Sequence, residues 1–260
     1  MVLIKKSEIL PTEIRRLDGT AHVYNYIGSV ATIHPGAQAY LAELPYAGAR
    51  IEPHFHDVDQ FQVFVGGHGK IGRDSVEPAT FQYADAYTPY GPIVAGAQGM
   101  AFFTLRVASS GGHYPIPQSR HLAEGKRGRQ CVEQFPLSQD RSANWRVQLL
   151  EPEPDGLQVL ALDMAPDQVA DGIASDGGGQ YCLVCSGSAA IGTEFVPPLA
   201  LWLIPRGAET PTFTAGKEGA RILILQFPCP TNRPGSDPDA LQDRIGASHV
   251  TAPRAQGEHV

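Results

Sequence analysis

One short pattern occurs twice, and that repetition limits the fold more than any other feature of the chain. Gln60-Phe-Gln-Val-Phe-Val is followed by Gly67, seven residues after its first glutamine. Gln180-Tyr-Cys-Leu-Val-Cys is followed by Gly187 at the same interval. Downstream, Pro89-Tyr90-Gly91 is echoed by Pro205-Arg206-Gly207. The echoes lie 120 and 116 residues further on and keep their order, as a duplicated unit requires. A chain of 260 residues then holds two units of ordinary domain size.

The repeated unit reads as β-structure. Gln60–Val65, Ala101–Val107, Gln158–Leu162, Gln180–Cys185, Leu199–Ile204 and Arg221–Phe227 are apolar or alternating runs bounded by Gly, Pro or polar clusters. The 28 Gly and 22 Pro punctuate the chain too often for a helical protein. Helical periodicity is modest and confined to residues 7–16 and 239–245. Between the units, 109–144 carries Arg120, Lys126, Arg127 and Arg129 with little apolar pattern, which reads as a basic connection. The segment from Cys229 onward is rich in Pro, Gly and polar residues and reads as a tail that wraps a surface or frays.

Charge excludes one function class. A net charge of −7 and a pI near 5.7 argue against a nucleic-acid binder, which needs a basic face to displace counterions. The first 17 residues lack the apolar core of a secretory signal, and no window approaches a membrane span. Cys131, Cys182, Cys185 and Cys229 do not form a disulfide-rich framework, so a reducing cytoplasm is expected. Cys182 and Cys185 fall three apart inside one predicted strand, face opposite sides, and read as small buried hydrophobes.

The chemistry concentrates at His54-Phe55-His56. Side chains two apart on a strand share a face, so both imidazoles project together, and Gln60 has the same parity. Two neutral imidazoles and an amide oxygen suit a borderline divalent metal: Fe foremost, or Mn, Ni, Cu or Zn. Asp57 and Asp59 lie off that parity and read as solvated loop charges.

Gly48, five residues, His54-x-His56, three residues, Gln60, six residues and Gly67 is similar to the first cupin motif, with Gln60 in place of its glutamate. Pro89-Tyr90-Gly91 resembles the turn of the second motif, where Val94 replaces a third histidine and Tyr83 a glycine. The likeness covers residues 30–108 and extends weakly, through the repeat, over 155–228. In the second unit Ala174, Asp176 and Thr210 stand where ligands would be, so that barrel is expected to hold no metal.

The resemblance implies an all-β, two-barrel bicupin of double-stranded β-helix (jelly-roll) type: barrels at 20–118 and 145–228, a connector at 119–144 and a tail at 229–260. It implies a metal-dependent oxidoreductase of dioxygenase type acting on a small organic or aromatic acid, in a homodimer. A catalytically silent small-molecule binder or structural bicupin is the alternative. His34, His68, His113 or His121 could replace the missing ligand. Tyr87 and Tyr90 are the expected polar pocket walls, and Arg50 and Arg106 the charges expected to meet an anionic substrate.

Overall fold

The computed structural model describes residues 1–16, 19–34, 36–135 and 146–240. It is built from two large antiparallel sheets with matching strand orders, the first carrying one further edge strand, and from a two-stranded ribbon. Across the first, the order is Gln130–Gln134, Thr80–Ala84, Gln60–Ile71, Ile93–Arg106, Gln38–Leu44, Gly19–Ile27 and Thr12–Arg16. Across the second it is Val2–Ile4, Leu201–Ile204, Gln180–Ile191, Thr212–Gln226, Gln158–Met164 and Arg146–Leu150. Gln60–Ile71 and Gln180–Ile191 each run 12 residues, and Gln38–Leu44 and Gln158–Met164 each run 7. Both pairs start 120 residues apart.

The repeat glycines have a steric reason. Gly67 sits at φ +67°, where a Cβ would stand 2.2 Å from the Gly99 carbonyl oxygen. Gly187 sits at φ +70°, with its Cβ position 2.1 Å from the Gly219 oxygen. Each marks an irregularity in register where the long strand bends against its neighbour.

The edges do not follow the expected domain limits. Val2–Ile4 pairs with Leu201–Ile204, so the first strand of the chain completes the second sheet. Gln130–Gln134, inside the expected connector, pairs with Thr80–Ala84 and completes the first. The connector is therefore partly barrel; its residues 136–144 lie outside the described residues. The helix expected over 7–16 is a 3-10 turn at Lys6–Glu8 followed by the strand Thr12–Arg16. Pro11 interrupts any helix there, and the residues after it pair along the sheet edge with Gly19–Ile27. Of the helix expected over 239–245, residues 241–245 lie outside the described residues.

Strand alternation assigns two environments. Phe61, Val63, Phe103 and Leu105 leave the first sheet toward Leu183, Leu223, Leu225 and Phe227 of the second, and together they form one apolar cluster. Phe61 meets Phe227 edge-on at 4.9 Å between ring centres. The opposite faces line the barrel interiors. Gln60–Phe64 is consequently buried on both sides, which is unusual for an antiparallel strand and results from the second barrel covering its outer face. Among the described residues, no helix is long and apolar enough to cross a membrane.

Candidate active site

His54 and His56 enter the first barrel from a short ribbon. His54–Phe55 pairs with Tyr114–Pro115, and His54 exchanges backbone hydrogen bonds with Tyr90. Alternation sends Phe55 to the opposite face, where it stacks on Tyr114 and packs against Tyr87, and both histidines inward. Their ring centres lie 5.2 Å apart with planes at 87°. The same pairing carries His113, just before Tyr114, to the site; its ring lies 4.1 Å from that of His54 and 6.0 Å from that of His56.

Both imidazoles are fixed and uncharged. His54 Nδ1–H donates to the Glu52 carbonyl at 2.7 Å, and His56 Nδ1–H to the Gly112 carbonyl at 2.6 Å. Carbonyl acceptors require the proton on Nδ1, which leaves each Nε2 as a bare lone pair. Burial pushes the His54 pKa down to about 3, and nearby His113 and Arg106 add to the effect. Burial, then the Arg106 charge, holds His56 well below the usual range.

A cavity of about 370 Å³ opens beside these rings, lined among others by Gln38, Tyr40, Gln62, Phe102, Thr104, Arg106 and His113. Gln60 borders the site differently from its expected ligand role. Its Oε1 accepts from Arg106 Nε at 3.2 Å and Nη2 at 2.9 Å, while its amide donates to the Tyr90 hydroxyl. Both lone pairs of that oxygen are thereby engaged, and Gln60 anchors Arg106. Val94 stands away from the histidines, opposite Arg50 and Lys70, four positions along from Tyr90, which bridges to His54. From that turn it is Tyr90 whose ring packs on His54, at 4.6 Å.

Other expectations need correction. Tyr87 lies behind Phe55, beneath Lys126, and does not line the cavity. Arg50 is exposed and pairs with Glu52 at 2.7 Å. His68 belongs to another groove with Lys70 and Val94, His121 is exposed on a 3-10 turn, and His34 packs near Gly28. Arg120 and Arg127 line a separate cavity with Glu124, while Arg129 bridges Asp85 and Asp155.

Asp57 and Asp59, expected in solvent, are buried at 0% and 4% exposure. Asp57 accepts from the Ser110 hydroxyl and the Gly111 N–H, both at 2.8 Å, and so ties down the segment that holds His56 Nδ1. Asp59 accepts both arms of Arg233, at 2.8 and 2.6 Å. Burial raises the Asp59 pKa even against that partner. The tail presses close here: a Cβ on Gly235 would fall 2.3 Å from the Asp57 carbonyl oxygen. Strand parity gave no sign of these partners, because both Ser110–Gly112 and Arg233 are remote in sequence.

The donor set can be weighed against a divalent metal. Two neutral nitrogens with Nδ1 locked by carbonyls are the usual state of histidine ligands, and they fit two coordination positions. Among the described residues, no group of three or more His, Cys, Asp or Glu side chains is placed to hold an ion. Water or a bound substrate would therefore fill the remaining positions.

Two antiparallel barrels in tandem, the first with an H-x-H pair at its cavity, define a double jelly roll. No family model matches the sequence, and no curated protein matches it. Solved structures resemble the fold. A protein from Nostoc punctiforme, described as a putative dioxygenase, is 11% identical with a TM-score of 0.58, covering 86% of this chain and 81% of its own. The pirin YhhW of Escherichia coli, in complex with nickel(II), is 10% identical at 0.55, covering 87% and 99%. The oxalate decarboxylase of Bacillus subtilis, with Mn(II) centres, is 12% identical at 0.51, covering 88% and 78%. The chain has the cupin fold, built twice.

Proposed function

We propose that the first barrel is the active site of a metal-dependent oxidoreductase of the dioxygenase type that acts on a small organic or aromatic acid. One observation carries this reading: two neutral imidazoles, each locked through Nδ1 and so carrying its lone pair on Nε2, line one cavity. A divalent ion held by His54 and His56 would supply Lewis-acid or redox chemistry there. The dioxygenase class is taken from the fold, which hosts many reactions. The metals in the nickel-bound pirin and the Mn(II)-containing decarboxylase support this reading.

The chain's own residues have definable parts. Glu52 and Gly112 carbonyls keep the imidazoles in the tautomer that presents Nε2. Tyr90 packs on His54 and fixes its ring plane. Burial keeps the Tyr90 hydroxyl protonated, its pKa raised above the usual phenol value. Leu44, Ile51 and Phe102 exclude water from the apolar wall.

A second reading, a non-catalytic small-molecule binder, is favoured by the engagement of Gln60 with Arg106. Metal content separates the two. Protein purified without chelator is expected to carry close to one divalent ion, and His54→Ala to lose it. Metal-free preparations that Fe, Mn, Ni and Zn all fail to stabilise thermally would leave the binder.

A further inference from the structure

The interior of the first barrel is layered by chemistry. Strand register stacks Gln38, Arg106 and Gln60 in one row, then Tyr40, Thr104 and Gln62, then Ala42, Phe102 and Phe64. The rows are one charged, one neutral and polar, one apolar, and successive rows on one face lie about 7 Å apart.

The charged row is incomplete. Arg106 is 3% exposed, yet among the described residues its hydrogen bonds go to neutral amides only: Nη1 to Gln38 Oε1 at 2.6 Å, and Nε and Nη2 to Gln60 Oε1. A guanidinium has five N–H donors, so one on each Nη remains. A buried cation without an anion is costly, and this one borders the cavity. The neutral row is incomplete too. Gln62 Oε1 and Thr104 Oγ1 are buried without a hydrogen-bond partner among the described residues, and both side chains line the same cavity. Buried polar atoms left unpaired at a cavity wall mark where a ligand's groups would go.

We infer that this cavity binds a hydroxylated carboxylic acid, with its carboxylate on the two remaining Arg106 N–H groups and a hydroxyl about 7 Å away on Gln62 Oε1 and Thr104 Oγ1. The orientation is set by donor and acceptor character. Arg106 only donates, so it takes an anion; a glutamine carbonyl only accepts, so it takes a hydroxyl proton. Beyond the neutral row the cavity wall turns apolar at Phe102 and Leu44, so the hydroxyl end is bounded by apolar surface. The inference rests on the cavity being a substrate site, but it does not require the metal, because every named contact is to protein.

Three matched probes test it: 4-hydroxybenzoate, 4-hydroxybenzamide and benzoate, titrated calorimetrically into the protein as purified and again after chelator treatment. The acid should bind about 30-fold more tightly than its amide and about 5-fold more tightly than benzoate. Gln62→Leu should erase the preference over benzoate and keep that over the amide. Arg106→Met, its fold checked by circular dichroism, should erase the preference over the amide. Equal binding of acid and amide to the unaltered protein, or no binding of any probe at about 10 mM, would overturn the assignment. So would selectivity that disappears with the chelator, since the metal and not Arg106 would then hold the carboxylate. Selectivity that survives in protein found to contain no metal sustains this inference while the metal-dependent reading falls.

Discussion

The two barrels share a strand plan and differ in what fills them. Counting 120 residues on, Arg106 corresponds to Gln226, Thr104 to Ile224, Gln62 to Cys182 and Tyr40 to Leu160. The second interior is closed by Leu160, Cys182, Trp202, Ile222 and Ile224, with Trp202 edge-on to Phe213 at 5.9 Å. Where the first has His54 and His56, the second has Ala174 and Asp176, and Asp176 accepts a hydrogen bond from Gln226. A barrel filled with apolar side chains gains packing and forfeits a cavity; one lined with amides and a guanidinium keeps the cavity and a demand for a ligand. One copy is packed shut by apolar side chains, and the other keeps a cavity lined by polar groups.

Three experiments would break or sharpen that contrast. The largest effect is expected from Trp202→Ala, which empties the centre of the second barrel. It should cost about 3–5 kcal/mol, read by urea unfolding, while ligand and metal binding measured below the transition stay unchanged. Loss of binding in the still-folded variant would mean the second barrel does more than support the first.

Arg233→Met comes next. It leaves Asp59 buried without its partner; because the Arg233 side chain retains 22% exposure, the cost should be about 2 kcal/mol, below that of a fully buried pair. Metal uptake should weaken with it, since Asp59 lies between His56 and Gln60 in sequence and the same tail presses on Asp57. Unchanged stability would show the tail to be an ornament on the first barrel.

The third effect is a slope. His54 and His56 have folded pKa values below the free value of 6.5. The unfolded chain then binds more protons than the native one as pH falls below 6.5. Chelator-treated protein should lose stability by about 1.4 kcal/mol per pH unit for each histidine, down to the folded pKa, and gain nothing above pH 7. His54→Ala with His56→Ala should flatten that slope; an unaltered slope would place the proton uptake elsewhere.

Much of the architecture could be read from residue order. The repeat of Gln60…Gly67 and Gln180…Gly187 marked two equivalent long strands, and the two glycines prove to occupy the same strained bend. Alternation put His54 and His56 on one face because strand parity is a local property. Asp57 and Asp59 were misread for a complementary reason: parity says which face a side chain takes, not what covers that face.

Sequence by itself therefore determined the duplicated β-plan, the shared face of the two histidines and the lack of their counterparts in the second unit. Only the tertiary structure decided that Gln60 belongs to Arg106, that His113 reaches the site, that Tyr87 and Arg50 do not, and that the terminal strand and tail cross between barrels. Periodicity is written in neighbouring residues. Partnership depends on which distant segments close over them, and a hydrogen bond spanning 174 residues leaves no local trace.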